Sequence, residues 1–217
     1  MNKEVTKFLK SRNVKNPSRG FPTDAGIDFF VPVFDKDFIE SLKSKNPDIF
    51  DPRPNDYSGQ INLYGTTGYT NVEYNLSDNN VSKIKFDDEK GENYFLLPPH
   101  SRILIPSGIH SRMSNQGRAL VAANKSGIAS KHGVIFGAQV VDYTYKGEIH
   151  INVINTSTKN VRIYENMKLI QFLETPVFTN PIEVTNGIDD PLANLDKFYE
   201  GLTNDRGAGG FGSTDKK

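Results

Sequence analysis

Apolar residues along this chain recur at two spacings, and the strand-like spacing dominates. Ile149, Ile151 and Val153 alternate with His150 and Asn152, the period of a strand with one buried face. That run predicts a strand over 148–155. Short apolar runs bounded by Gly, Pro and Asn predict others over 102–105, 119–123, 134–136, 161–164 and 168–174. Helical spacing stands out once, in Phe34, Phe38, Ile39 and Leu42. Asp35 is placed to cap that helix and Pro47 to stop it, which predicts a helix over 34–45. No unit alternates strand with helix, so a doubly wound parallel sheet is a poor fit. The expected class is all-β, an antiparallel sandwich or barrel.

Composition divides the chain further. The stretch 35–93 is rich in Asn, Asp, Tyr and Gly, yet carries too many apolar and aromatic residues for plain disorder. It reads as an insertion with a small fold of its own, holding the helix and hairpin-like runs at 61–64 and 72–76. The segment 201–217 is Gly-rich and core-poor, the composition of a mobile arm. Residues 1–34 and 94–200 then form the β domain. Lys and Arg number 26 against 26 Asp and Glu, a balance that argues against a nucleic-acid-coating protein. No apolar run approaches the ~18 residues of a membrane span, and the first residues lack the apolar core of a secretory signal. A cytoplasmic protein is expected. The absence of Cys removes disulfides and thiolate chemistry, and the four His sit at no close ligand spacing.

Three segments carry candidate chemistry. RGAGGFGST matches a dinucleotide-binding glycine pattern in letters but not in context, because too few residues follow it to form the required helix. Its glycines would still let main-chain N–H groups converge on an anion. Arg206 adds a forked charge, Ser213 and Thr214 add hydroxyls, and Phe211 is suited to stack on a base. The plain alternative is a solvated tail. In VVDYTYKGEIHINVIN, Asp142 ends an apolar run before a strand, where a carboxylate can serve as a general base; ordinary turn chemistry is the competing use. In NKSGIASKHG, Lys125, Ser126 and Gly127 join a cation, a hydroxyl and a flexible backbone, suited to phosphate or simply to a turn.

Taken in order, PTDAGIDFF (22–30), NKSGIASKHG (124–133), AQVVDYTYKGEI (138–149), ENMKLIQF (165–172) and RGAGGFGST (206–214) resemble the five motifs of the homotrimeric dUTPase family. The resemblance covers most of the chain outside 35–93. It implies a jelly-roll-like β-barrel that hydrolyses dUTP to dUMP and pyrophosphate with Mg²⁺, as a homotrimer with shared sites. It makes Asp142 the base for a water attacking the α-phosphorus and puts Tyr145 under the deoxyribose, excluding a 2′-hydroxyl. Lys125, Ser126 and Gly127 would meet the phosphates near the scissile bond, with Lys168 and Gln171 on the triphosphate. Gln139, Val140 and Val141 would form the hairpin that reads uracil through main-chain groups, with His150 beside it. Arg206, Gly212, Ser213 and Thr214 would hold the γ-phosphate and Phe211 would stack on the base. Asp28 would sit in the outer shell of the metal, through water.

The chain also departs from that family. Lys125 and Lys168 stand where Arg is usual, losing the planar fork. Thr144 replaces a common acid, and Gln139 and His150 occupy positions that are normally small or apolar. These differences leave three alternatives: a same-fold dCTP deaminase, a pyrophosphatase with altered pyrimidine preference, or a nucleotide-sensing protein whose insertion binds a protein partner. Asp142, Tyr145 and the full glycine-rich arm favour the dUTPase over the deaminase.

Overall fold

The computed structural model describes residues 5–50, 84–184 and 197–201. The chain divides into a first unit, Met1–Phe178, and a second, Thr179–Lys217. In chain order the first unit contains β1 (Lys7–Lys10), β2 (Gly26–Phe30), α1 (Lys36–Lys45), α2 (Pro47–Phe50), β3 (Lys85–Asp87), β4 (Glu92–Leu97), β5 (Arg102–Pro106) and β6 (Ile109–Arg112). It continues with β7 (Arg118–Ala123), α3 (Ser126–His132), β8 (Val134–Phe136), β9 (Val140–Val141), β10 (His150–Asn155), β11 (Val161–Tyr164) and β12 (Lys168–Pro176). Among the described residues the strands form four sheets, ordered β1-β6, β5-β10-β8, β11-β4-β3 and β2-β12-β7-β9. All these strand pairings are antiparallel. The predicted class therefore holds, and the six predicted strands correspond to β5, β7, β8, β10, β11 and β12.

Alternation explains the core. In β10, Ile151 and Val153 are fully buried while His150, Asn152 and Ile154 are half-exposed. Their inward faces meet Ile103 and Ile105 of β5, Phe95 and Leu97 of β4, and Phe29 of β2 in one cluster. The strand begins at His150 rather than at 148: the Ile149 N–H donates to the Ile109 carbonyl and its carbonyl accepts from the Ser107 N–H, outside the ladder with β5.

The predicted helix is present as α1. The Asp35 side chain accepts from the Phe38 N–H at 2.9 Å, the N-cap bond that Asp favours. Phe38 and Leu42 are buried, and Phe34 stacks between Phe38 and Phe95 with centroids 5.0 and 5.7 Å apart. At the C-terminal end of α1, Asn46 donates to the carbonyls of Leu42 and Leu104 and accepts from the Leu104 N–H. One amide thus serves as a strand partner for the outer edge of β5. Residues that composition assigned to an insertion are packed into the main core here. The hairpin-like runs at 61–64 and 72–76 lie outside the described residues, as does nearly all of the arm from 201.

Helix is not confined to one place. The short α2 and α3 add to α1, and α3 escaped periodicity because none of its residues is buried.

Packing of α1 in the core carries a measurable consequence. Phe38→Ala should lower stability by about 3–5 kcal/mol, the cost of emptying a filled aromatic site. Urea unfolding checks it; a loss of only about 0.5 kcal/mol would mark α1 as surface decoration.

Candidate active site

Strand β12 organises the first group of predicted residues. It pairs with β2 on one side and β7 on the other, setting Gln171 opposite Asp28 and Ala123. Lys168 and Gln171 are three residues apart, which in a regular strand would put them on opposite faces. The register shifts between Lys168 and Ile170, and the extra residue of such a bulge restores a common face. Leu169 and Ile170 are both buried, while Lys168 and Gln171 turn outward.

Asp28 lies beneath them. Its side chain is 7 % exposed, and Lys125 Nζ and Lys168 Nζ donate to its two oxygens at 2.5 and 3.1 Å. Burial works to raise the Asp28 pKa, but the hydrogen bonds from Lys125 and Lys168 prevail and hold it below the ordinary carboxylate value. Lys125 is the N-cap residue of α3; its ammonium, a donor only, cannot cap the helix N–H groups and reaches back to Asp28. Gln171 donates to the carbonyl of Asn124 at 3.0 Å, pinning the residue before Lys125. A Cβ on Gly26 would come within 2.1 Å of Gln171 Oε1; only glycine leaves that amide its place. Asp28, Lys125, Lys168 and Gln171 are thus one connected group, with Ser126 and Gly127 in the first turn of α3 beside it.

The second group sits on the hairpin that follows β9. Val140 and Val141 pair with Val121 and Leu120 of β7, and the Gln139 carbonyl accepts from the Ala122 N–H at 2.7 Å. Gln139 and Val140 expose their side chains. Asp142 is exposed at the start of a turn closed by the Tyr145 N–H donating to its carbonyl at 3.1 Å. Tyr145 folds back so that its hydroxyl donates to the Glu148 carbonyl at 2.9 Å. A Cβ on Gly147 would lie 2.5 Å from that hydroxyl oxygen, so the ring rests where a side chain is missing. His150 Nδ1 lies 2.9 Å from the same carbonyl. A carbonyl only accepts, so Nδ1 carries a proton, and the buried Nε2 has no partner among the described residues.

The register keeps the two groups apart. Asp142 falls beside Ala119 of β7, whereas Lys125 follows the opposite end of that strand. Six residue steps of extended chain lead from Ala119 to Lys125, roughly 20 Å. Arg206, Phe211, Gly212, Ser213 and Thr214 lie outside the described residues. Sequence reading passed over Arg12 and Glu148, whose ion pair joins residues 136 positions apart, and also Gly26 and Gly147, which stand inside quoted motifs.

Among the described residues no three His, Asp or Glu side chains converge on a metal position. Asp28 uses one lone pair on each oxygen for a lysine, of the roughly four that a carboxylate offers. That donor set fits a cation carried on phosphate oxygens and water, with Asp28 as an outer acceptor, and does not make a cage built of protein alone. No helix among the described residues is long and apolar enough to cross a membrane.

Comparison with known proteins gives a consistent result. The family model described as dUTPase matches residues 90–214. The deoxyuridine 5'-triphosphate nucleotidohydrolase of Hahella chejuensis is 31% identical over 123 residues, 56% of this chain and 72% of that protein. The protein of the same name from Paraburkholderia phytofirmans is 28% identical over 170 residues, 77% of this chain and 95% of that one. Among solved structures, a point mutant of the Staphylococcus bacteriophage 80alpha dUTPase with dUpNHpp superposes with a TM-score of 0.58 at 14% identity, covering 98% of this chain and 99% of that chain. A point mutant of the dUTPase from phage phi11 of S. aureus, described with a structural Mg(II) ion, gives 0.52 at 14%, covering 83% and 96%. These neighbours place the fold with the jelly-roll dUTPases, as the sequence resemblance implied.

The lysine-bound carboxylate should leave a mark on acid stability. Its folded pKa lies below the ordinary value of 3.8, so its contribution is present above about pH 4 and lost as pH falls through the folded value. Asp28→Asn should cost about 1–2 kcal/mol at pH 7 and flatten the decline below pH 4. Urea unfolding across a pH series reads both.

Proposed function

This chain belongs to the dUTPase family, and on that premise we propose that it hydrolyses dUTP to dUMP and pyrophosphate in a site shared between copies of the chain. The observation that carries the reading is the placement of two complementary groups at opposite ends of β7. One offers a carboxylate and an aromatic platform, Asp142 and Tyr145; the other offers cations, Lys125 and Lys168. A nucleoside triphosphate needs both.

In this reading Asp142 orients a water and takes its proton as the water oxygen bonds to the α-phosphorus. The bond from that phosphorus to the bridging oxygen breaks, and pyrophosphate leaves. Asp142 suits the task because it stands exposed at a fixed turn. Tyr145 lies flat under the deoxyribose and leaves no room for a 2′-hydroxyl. Lys125 and Lys168 offset phosphate charge as compact ammoniums, Ser126 and Gly127 approach the phosphates, and Gln171 keeps one amide N–H for the triphosphate. Phosphoryl transfer depends chiefly on such positioning and charge neutralisation. Asp28 would stand as an outer acceptor for Mg²⁺, which would supply further neutralisation of the phosphate charge. Gln139, Val140 and Val141 read uracil through main-chain groups, with His150 behind them. The arm supplies Arg206, Gly212, Ser213 and Thr214 to the γ-phosphate and Phe211 to the base.

The roughly 20 Å between Ala119 and Lys125 is too long for Asp142 and Lys125 to serve one α-phosphorus from one chain. A second copy supplies the missing half, and a closed ring of three gives each copy both roles. Exposed apolar side chains agree with burial in an assembly: Phe178 is 91% exposed in the first unit, and Ile182 and Val184 are 91% and 87% exposed in the second.

Two measurements test these roles. Asp142→Asn should reduce kcat by about 10²–10⁴-fold while calorimetry still shows binding of dUpNHpp; near-normal turnover would exclude Asp142 as the base. Asp142→Asn and Lys125→Ala variants, each inactive alone, should recover activity when unfolded and refolded together. A site confined to one chain would stay dead in the mixture.

A further inference from the structure

Glu148 is where several separate segments meet the Tyr145 turn. Its Oε1 accepts from Arg12 Nε at 2.8 Å and from the Gly108 N–H at 2.6 Å, and its Oε2 accepts from Arg12 Nη2 at 3.1 Å. Its main-chain carbonyl accepts from the Tyr145 hydroxyl at 2.9 Å and from His150 Nδ1 at 2.9 Å. Arg12 is gripped in turn by α1: Nη1 donates to Asp37, and Nη2 donates to Ser41 Oγ at 3.0 Å. The Arg12 and Glu148 side chains are 11% and 15% exposed. Gly108 adopts a φ of +71°, and a Cβ there would lie 2.7 Å from Arg12 Cβ, so the turn admits the arginine stem because residue 108 has none of its own. Burial works to raise the Glu148 pKa, but Arg12 and the Gly108 N–H overcome it and keep the group a carboxylate.

This arrangement is more than a surface ion pair. A fork–fork contact fixes direction as well as distance. It fixes the carboxyl end of Glu148, while the same residue's carbonyl fixes the far end of the Tyr145 ring. We infer that Arg12 is a positioning residue: acting through Glu148, it locks Tyr145 in the pose that discriminates deoxyribose from ribose. The inference rests on the proposed sugar-reading role of Tyr145. Excluding one hydroxyl demands that the platform be held to within a fraction of an atomic diameter, and a phenol anchored at only one end would tilt. Arg12 itself need not touch nucleotide. It also ties the platform to α1, so the sugar contact inherits the rigidity of the core around Phe38.

The test compares the full-length wild type with Arg12→Lys and with the paired change Arg12→Met/Glu148→Gln, which leaves no unpaired buried charge. The ratio of kcat/KM for dUTP to that for UTP should fall at least about tenfold in the paired variant and by less in Arg12→Lys. Hydrogen exchange of the 142–147 turn, a readout independent of catalysis, should quicken. Adding Tyr145→Phe to the paired variant should lower the ratio little further, because both changes release the same ring. A folded paired variant with unchanged discrimination and unchanged exchange overturns the inference. If the wild type does not separate dUTP from UTP while exchange still quickens, the sugar-reading role of Tyr145 fails and the positioning of the turn by Arg12 stands.

Discussion

A carboxylate held out of water must be balanced, and that requirement at Asp28 governs much of the molecule. An unpaired ion in such a place costs several kcal/mol, so the strand that carries it is tied to whatever supplies the countercharge. Here two lysines do so, one from β12 and one from the residue that opens α3. The balance joins three segments distant in sequence and holds two ammoniums on one face. It also explains the bulge in β12. Without the extra residue, Lys168 would leave the face that Gln171 occupies, and Asp28 would lose half its compensation. Lysine in place of a forked arginine suits this geometry, because a point charge can meet a carboxylate oxygen from any direction whereas a planar fork cannot.

Strand β7 acts as a spacer. One end holds the hairpin bearing Asp142, the other leads into Lys125 and α3. A strand hydrogen-bonded on both sides does not shorten or fold, so the distance between the two groups belongs to the sheet itself. The reading of a shared site follows from that stiffness. If the proposed shared site holds, each chain offers two half-sites to different neighbours, and assembly and activity become a single property.

Boundaries of composition are not boundaries of packing. The Asn- and Tyr-rich stretch was separable by its letters at 35 and 93, yet α1 places Phe38 and Leu42 in the core, and β3 pairs with β4, which in turn pairs with β11. Asn46 completes the join by pairing with the free edge of β5 through its side chain. Apolar periodicity located the helix, and the tertiary fold set what it packs against.

What the amino-acid order settled on its own was local. Alternation in Ile149–Ile151–Val153, the spacing of Phe34, Phe38 and Leu42, and the glycine and proline boundaries determine strands and a helix, because each depends on neighbours within a few residues. The motifs named the family and the candidate residues for the same reason: they are short and contiguous. Pairing is different. That Lys125 and Lys168 both turn to Asp28 depends on a bulge and on register, since a shift of one residue sends every side chain to the other face. That Arg12 meets Glu148 depends on bringing together residues 136 positions apart, and neither residue carries a local sign of it. Tertiary structure alone decided which charges are buried together and that Asp142 and Lys125 flank opposite ends of β7, because ion pairing and distance are set by the packing of sheets and not by order along the chain.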